Sequence, residues 1–201
     1  TRYMEGKLIG ELDHVLVTSE TDKKALLELA PPGSKTAPIS VLSNGVDLEF
    51  FHPNPEMQRD AEMLVFSGKM SYHANISMVK FLVGEIMPRV WVKKPKVRLV
   101  IVGKDPTAEI RALGADSRIT VTGTVDDIRP YLWQATVAVV PLVYGAGIQN
   151  KILEAMACGT PVVTTSKTLS SLGVTSGTEL MVADGADGFA QAVLDWLDDQ
   201  V

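Results

Sequence analysis

The sequence predicts an α/β protein built on a doubly wound, mostly parallel, Rossmann-like sheet. Three observations carry that prediction. From about residue 62 onward, short runs rich in Val, Ile and Leu alternate with single stretches of helical period. The runs are continuously apolar, as strands covered by helices on both faces must be. Four of them end in glycine or in a cation beside glycine: Gly68-Lys69, Gly103-Lys104, Gly123-Thr124-Val125 and Tyr144-Gly145. Doubly wound sheets bind ligands at the carboxyl ends of their strands, so these four ends predict where a site would lie.

The elements follow in order. TRYMEGKLIGELDH reads as the end of a helix and HVLVTS (His14–Ser19) as a strand. Ser19 or Thr21 can cap a helix through TDKKALLELA, because a side-chain oxygen there accepts a free first-turn amide. PPGSK (Pro31–Lys35) breaks the chain, and PISVLSNGV (Pro38–Val46) is a strand closing in an Asn-Gly turn. The stretch Phe50–Asp60, with two prolines, reads as a linker. The regular alternation then begins: EMLVFSG strand, ANISMVKFLVGEIMPRV helix, VRLVIVG strand, TAEIRALG helix and RITVTG strand. It continues with DDIRPYLWQA as a helix carrying Pro130 in its first turns, TVAVVPL as a strand, IQNKILEAMA as a helix and PVVTT as a strand. ELMVADG is the last strand and GFAQAVLDWLDD the last helix. Asp126 and Asp127 are expected to cap the DDIRPYLWQA helix. Trp91, Trp133 and Trp196 fall at helical positions and are expected to pack.

Bulk properties narrow the function classes. A net charge of −5 and a pI near 5.2 argue against nucleic acid or an anionic membrane as the main partner. Cys158 stands alone, so no internal disulfide can form, which fits a reducing, cytoplasmic setting. No apolar run approaches the ~20 residues of a membrane span.

The most informative stretch is Tyr144–Pro161, YGAGIQNKILEAMACGTP. It sets a glycine turn and a helix N-terminus after a buried strand, where free amides and the helix dipole favour an anion. Gly147, Lys151 and Glu154 fall at i, i+4 and i+7 and share one helix face. That face offers amides and a cation for a diphosphate, then a carboxylate roughly 10 Å on for a ribose diol. The same Lys151 and Glu154 at i, i+3 can equally form an ordinary surface ion pair. Gly-x-Gly without a third glycine is too short to decide between the two.

Taken together, NGVD (Asn44–Asp47), strand-Gly-Lys (Gly68-Lys69), VRLVIVG, VTGTVDD and GIQNKILEAMACGTPVV resemble retaining glycosyltransferases of the GT-B fold, in the large family 4. GKMSYHAN (Gly68–Asn75) and GIQNK (Gly147–Lys151) resemble an exopolysaccharide-type subgroup of sugar transferases. The likeness covers nearly the whole chain. It implies one half of a two-domain enzyme: residues 1–45 as the tail of an acceptor-binding domain with the hinge, and residues 46–201 as a sugar-nucleotide-binding domain that continues beyond this chain. It further implies a nucleoside diphosphate sugar as donor, a saccharide or lipid-linked acceptor held by the other domain, and no cofactor or metal. A cytoplasmic location, peripheral to the inner face of the membrane in the full-length protein, goes with it.

The resemblance assigns residues one at a time. Glu154 matches the second of the family's paired glutamates, which holds the nucleotide ribose; the first, which touches the donor sugar, aligns with Ala146. Gly147 matches the glycine whose backbone approaches the donor. Lys69 stands where relatives carry an arginine on the diphosphate. The family's second basic residue is replaced here by His73, Ala74 and Asn75, and Lys151 is the candidate for the missing charge. Lys69 and Lys151 are therefore the expected catalytic residues, stabilising the departing diphosphate electrostatically. Gly68, Gly147, Ile148, Gln149, Asn150, Glu154, Thr124 and Val125 are the expected substrate-binding set, Gln149 or Asn150 substituting for the absent glutamate and Thr124-Val125 facing the base. Competing readings are a GT-B-like binding module without chemistry, which Ala146 favours, and half of a sugar-nucleotide epimerase, which would need acid/base carboxylates. A dinucleotide-dependent oxidoreductase would need a third glycine that SGKMSYH lacks.

Overall fold

A computed structural model describes residues 2–144, 149–172, 174, 177 and 180–199. The chain opens with α1 (Arg2–Leu8), β1 (Val15–Val17), α2 (Glu20–Leu29) and β2 (Ile39–Val41). Ser19 caps α2, its hydroxyl accepting the Asp22 amide at 3.0 Å. β1 and β2 pair in parallel as a small separate sheet.

A second sheet holds β3 (Asp60–Ser67), β4 (Arg98–Val102), β5 (Ile119–Gly123), β6 (Ala135–Val140), β7 (Val162–Thr164) and β8 (Met181–Val182). Its spatial order is β5-β4-β3-β6-β7-β8, and every neighbouring pair is parallel. The chain thus starts in the middle, winds outward to β5, crosses back and winds outward again to β8. That order is the doubly wound one, and its reversal point falls between β3 and β6. Leu64, Val65, Phe66, Leu99, Ile101, Val137, Val139, Val162 and Val163 fill the core, each almost wholly out of solvent.

Helices cover both faces. α3 (His73–Phe81), a π-helical turn (Leu82–Ile86) and α4 (Met87–Lys93) replace the single helix expected over residues 74–90. The cause is Pro88, which has no N–H and whose ring clashes with the carbonyl four residues back. The wider turn relieves this, with the Met87 amide reaching the Leu82 carbonyl instead. Right-handed crossovers put α5 (Ala108–Ala112) on the face of α3, and α6 (Arg129–Gln134), α7 (Asn150–Ala157) and α8 (Leu169–Leu172) on the other. The last helix, α9 (Gly185–Asp198), packs against α4.

Two expectations are corrected. Asp126 is exposed and caps nothing among the described residues, whereas Asp127 accepts both the Arg129 amide (2.9 Å) and its guanidinium (2.7 Å). The stretch before β3 is more than a linker. Trp133 Nε1 donates to the His52 carbonyl at 2.7 Å, and the Arg129 guanidinium lies 3.9 Å from the Phe50 ring centre. Arg59 donates to the carbonyls of Ala135 (2.7 Å) and Gly159 (2.5 Å), pinning the segment to the sheet. The tryptophans pack as expected, and Trp91 Nε1 also reaches the Val97 carbonyl at 2.8 Å.

Candidate functional site

The site lies at the reversal point of the sheet, where the chain leaving β3 and the chain leaving β6 diverge. A cavity of about 370 Å³ opens there, lined by Gly68, Lys69, Tyr72 and Asn75 from the β3 side and by Gln149, Asn150, Lys151 and Glu154 from the β6 side. Six of the residues expected from the sequence therefore share one wall-to-wall space: Gly68, Lys69, Gln149, Asn150, Lys151 and Glu154.

Close backbone packing builds the β3 side. A Cβ on Gly103, after β4, would sit 1.8 Å from the Gly68 carbonyl oxygen, and one on Gly68 would sit 2.7 Å from Asn75 Nδ2. Both glycines also have φ near +145°, a region side chains avoid. Asn75 is buried and ties the two sides together: its Nδ2 donates to the Lys69 carbonyl (2.9 Å) and its Oδ1 accepts from Lys151 Nζ (3.0 Å).

α7 builds the β6 side. Its C-terminus closes with the Gly159 amide on the Met156 carbonyl and the Thr160 amide on the Ala155 carbonyl, both at 2.9 Å, the paired pattern of a Schellman cap. Ile152 and Ala155 are buried on the sheet, which turns Lys151 and Glu154 toward the cavity. The ordinary ion pair at i, i+3 does not form. Lys151 Nζ instead donates to Asn75 Oδ1 and, at 3.1 Å, to Gln149 Oε1. Burial pushes the Lys151 ammonium down to about 8, only partly countered by the Glu154 carboxylate. Burial raises the Glu154 carboxyl, and Lys151 opposes that shift. Lys69 is more exposed and stands 3.7 Å from Asp105, a loose surface pair.

Other expected residues lie elsewhere. Gly147 and Ile148, with Ala146, fall outside the described residues. Thr124 and Val125 follow β5, at the outer edge of the sheet; Thr124 is exposed, Val125 packs on the core, and neither lines the cavity. The reason is topological, since β4 separates β5 from β3. His73 sits beside the cavity, its ring parallel to Tyr144 within 2° and its Nδ1 2.8 Å from the Tyr144 hydroxyl. Asn150 Oδ1 accepts from Asn44 Nδ2 at 3.0 Å, linking the NGVD turn to α7.

Asn75 lines the cavity although it stands outside the set expected from the sequence. The signal was present: Asn75, Met78, Val79 and Leu82 fall at i, i+3, i+4 and i+7 and are all buried, so a polar group occupies a core-facing position. Buried polar side chains need partners, and such a position marks a bonded one.

Residues 61–199 match the family model for glycosyl transferases group 1. The chain belongs to that family. This group 1 glycosyltransferase chain is 27% identical over 215 aligned residues to D-inositol 3-phosphate glycosyltransferase of Frankia alni, covering 93% of the chain and 50% of the relative. It is 28% identical to the protein of the same name from Mycolicibacterium smegmatis, covering 96% of the chain and 46% of the relative. The chain therefore spans about half the length of the curated relatives it matches. Among solved structures, sucrose-phosphate synthase from Thermosynechococcus elongatus superposes with a TM-score of 0.77 at 24% identity, over 98% of this chain and 52% of that one. Anabaena Alr3699/HepE, solved in complex with UDP and glucose, superposes with a TM-score of 0.76 at 16% identity, over 99% of this chain and 57% of that one. These likenesses establish the group 1 chain as half of a GT-B fold.

Proposed function

We propose that this chain is the donor-binding part of a retaining glycosyltransferase, taking a hexose from a nucleoside diphosphate sugar. The observation that carries the reading is the convergence of Lys69, Lys151 and Glu154 on one cavity at the reversal point of the sheet. Lys151 and Lys69 would neutralise the diphosphate and stabilise it as it leaves, the electrostatic contribution that usually dominates such catalysis. Lysine acts here as a point charge rather than a fork, so the site tolerates movement of the phosphates. The Glu154 carboxylate, with no hydrogen-bond donor among the described residues, is free for a ribose diol. The UDP in the Anabaena neighbour supports a uridine donor as the first to try. Gln149 and Asn150 would meet the sugar where relatives use a glutamate. Residues 1–45 would belong to the acceptor-binding half, and the acceptor, a saccharide or lipid-linked sugar in polysaccharide or glycolipid synthesis, would be held there. On this reading the chain alone binds donor and turns over little.

Calorimetric titration with UDP, GDP, ADP and NAD tests the reading. We expect one nucleoside diphosphate to bind and both Lys151→Ala and Glu154→Ala to weaken it, each by about 1–3 kcal/mol for a lost charged hydrogen bond. Preferential NAD binding, or binding indifferent to both substitutions, would overturn it.

A further inference from the structure

We infer that Asn75 is a positioning residue of the donor site, which holds the Lys151 ammonium over the diphosphate position without neutralising it. The inference rests on the donor-site reading above.

The argument begins with what Lys151 lacks. A lysine in α7 is a flexible stem, and fixing it costs rotamer entropy unless a partner repays it. The partners here are two neutral amide oxygens, Asn75 Oδ1 at 3.0 Å and Gln149 Oε1 at 3.1 Å, with the Phe66 ring centre 5.7 Å away. The charged groups around the ammonium come from three elements. Glu154 lies on α7 itself, Lys69 on the turn after β3, and Asp105, after β4, is engaged by Lys69. His73, at the start of α3, is held by Tyr144. No carboxylate of the described residues lies within ion-pairing distance of Lys151. The ammonium is thus located and, apart from the weaker pull of Glu154, not neutralised by any ion pair among the described residues.

Asn75 is built to do this. It is buried, its own amide nitrogen is fastened to the Lys69 carbonyl, and Gly68 leaves it room that any Cβ would take. One side chain therefore fixes the backbone carrying Lys69 and the head group of Lys151 together. An aspartate of the same shape would reach the same ammonium, but its charge would compete with an incoming diphosphate. An amide leaves the site's positive charge unspent until the donor arrives. Binding an anion would then raise the lysine again, so donor affinity should fall as pH rises above about 8.

The test uses the near-isosteric Asn75→Asp together with Asn75→Leu in the whole 201-residue chain. NMR of isotope-labelled lysine follows the Lys151 side chain through a pH titration, its resonance assigned by loss in Lys151→Met. Wild type should titrate near 8. Asn75→Asp should move that midpoint up by about one unit, as a nearby opposite charge does. It should also weaken UDP binding about tenfold at pH 7, the cost of one weakened charge-assisted contact. Asn75→Leu should move the midpoint down and also weaken UDP. An unmoved midpoint in both variants would overturn the docking. A moved midpoint with unchanged UDP affinity would overturn its role in donor binding. If wild type binds no nucleoside diphosphate, the donor reading itself falls, while the midpoints still report whether Asn75 holds Lys151.

Discussion

The amino end of the six-stranded sheet and the cavity at its carboxyl end are built on opposite principles. At the amino end, polar groups are matched to one another. Arg98 pairs with Asp60, and Arg118 pairs with Asp116 at 2.7 Å and holds that carboxyl down at about 2. Arg59 takes two carbonyls, Thr136 takes the Asp60 carbonyl at 2.7 Å and Thr160 the Leu132 carbonyl at 2.6 Å. At the carboxyl end, where β3 and β6 diverge, Glu154 has no donor among the described residues, Lys151 rests on amides, and Lys69 is only loosely paired. The amino end closes its hydrogen bonds upon itself and the cavity leaves charge available. The contrast shows where the fold stores stability and where it keeps chemistry, since a satisfied ion pair has little left for a ligand.

The largest expected effect breaks the carboxyl end through its backbone. Gly103→Ala places a methyl where the Gly68 carbonyl already is, at a φ that alanine avoids. Unfolding in urea should show a loss of about 4 kcal/mol or more, the range of severe overpacking and strain. Next, Arg59→Ala strikes the amino end and should cost about 2–3 kcal/mol by leaving two carbonyls without their charged donor. Its nucleotide affinity, measured by calorimetry, should stay within error of wild type. An affinity loss matching the stability loss would erase the division between the ends.

The smallest effect sharpens the comparison through pH. Lys151 has a folded pKa of about 8, below its ordinary 10.5. Between those values the unfolded chain binds more protons than the folded one, so unfolding free energy rises with pH across that window. Below pH 8 the full cost of keeping the ammonium buried is present; above 10.5 it is gone. Lys151→Met removes the effect. Wild type should therefore gain on the variant between pH 8 and 10.5 in urea titrations, by roughly 1–2 kcal/mol once the partial exposure of Lys151 discounts the full shift. A constant difference would mean that the ammonium is solvated.

Much of the fold was legible because its signals are local. Runs such as LVIV (Leu99–Val102) are apolar throughout, as a strand covered on both faces requires, and the cap of α2 is narrowed by its chemistry to Ser19 or Thr21, of which the structure uses Ser19. The π turn was not legible, because how a helix accommodates Pro88 depends on what packs around it. In the site, the spacing of Lys151 and Glu154 put them on one face, and the structure brings both to one cavity with Lys69. Spacing could not tell an ion pair from two independent groups.

By itself the sequence determined the strands of the large sheet, most of the helices though not α8, the glycines at the strand ends and the face of α7 that carries its charges, since each depends on neighbours a few positions away. Tertiary structure alone decided the strand order, and with it that the β3 and β6 ends meet while Thr124 and Val125 stand two strands out at the edge. It also decided Lys151's partner. Asn75 lies 76 residues from Lys151 in the chain, and they meet because the sheet reverses direction between β3 and β6.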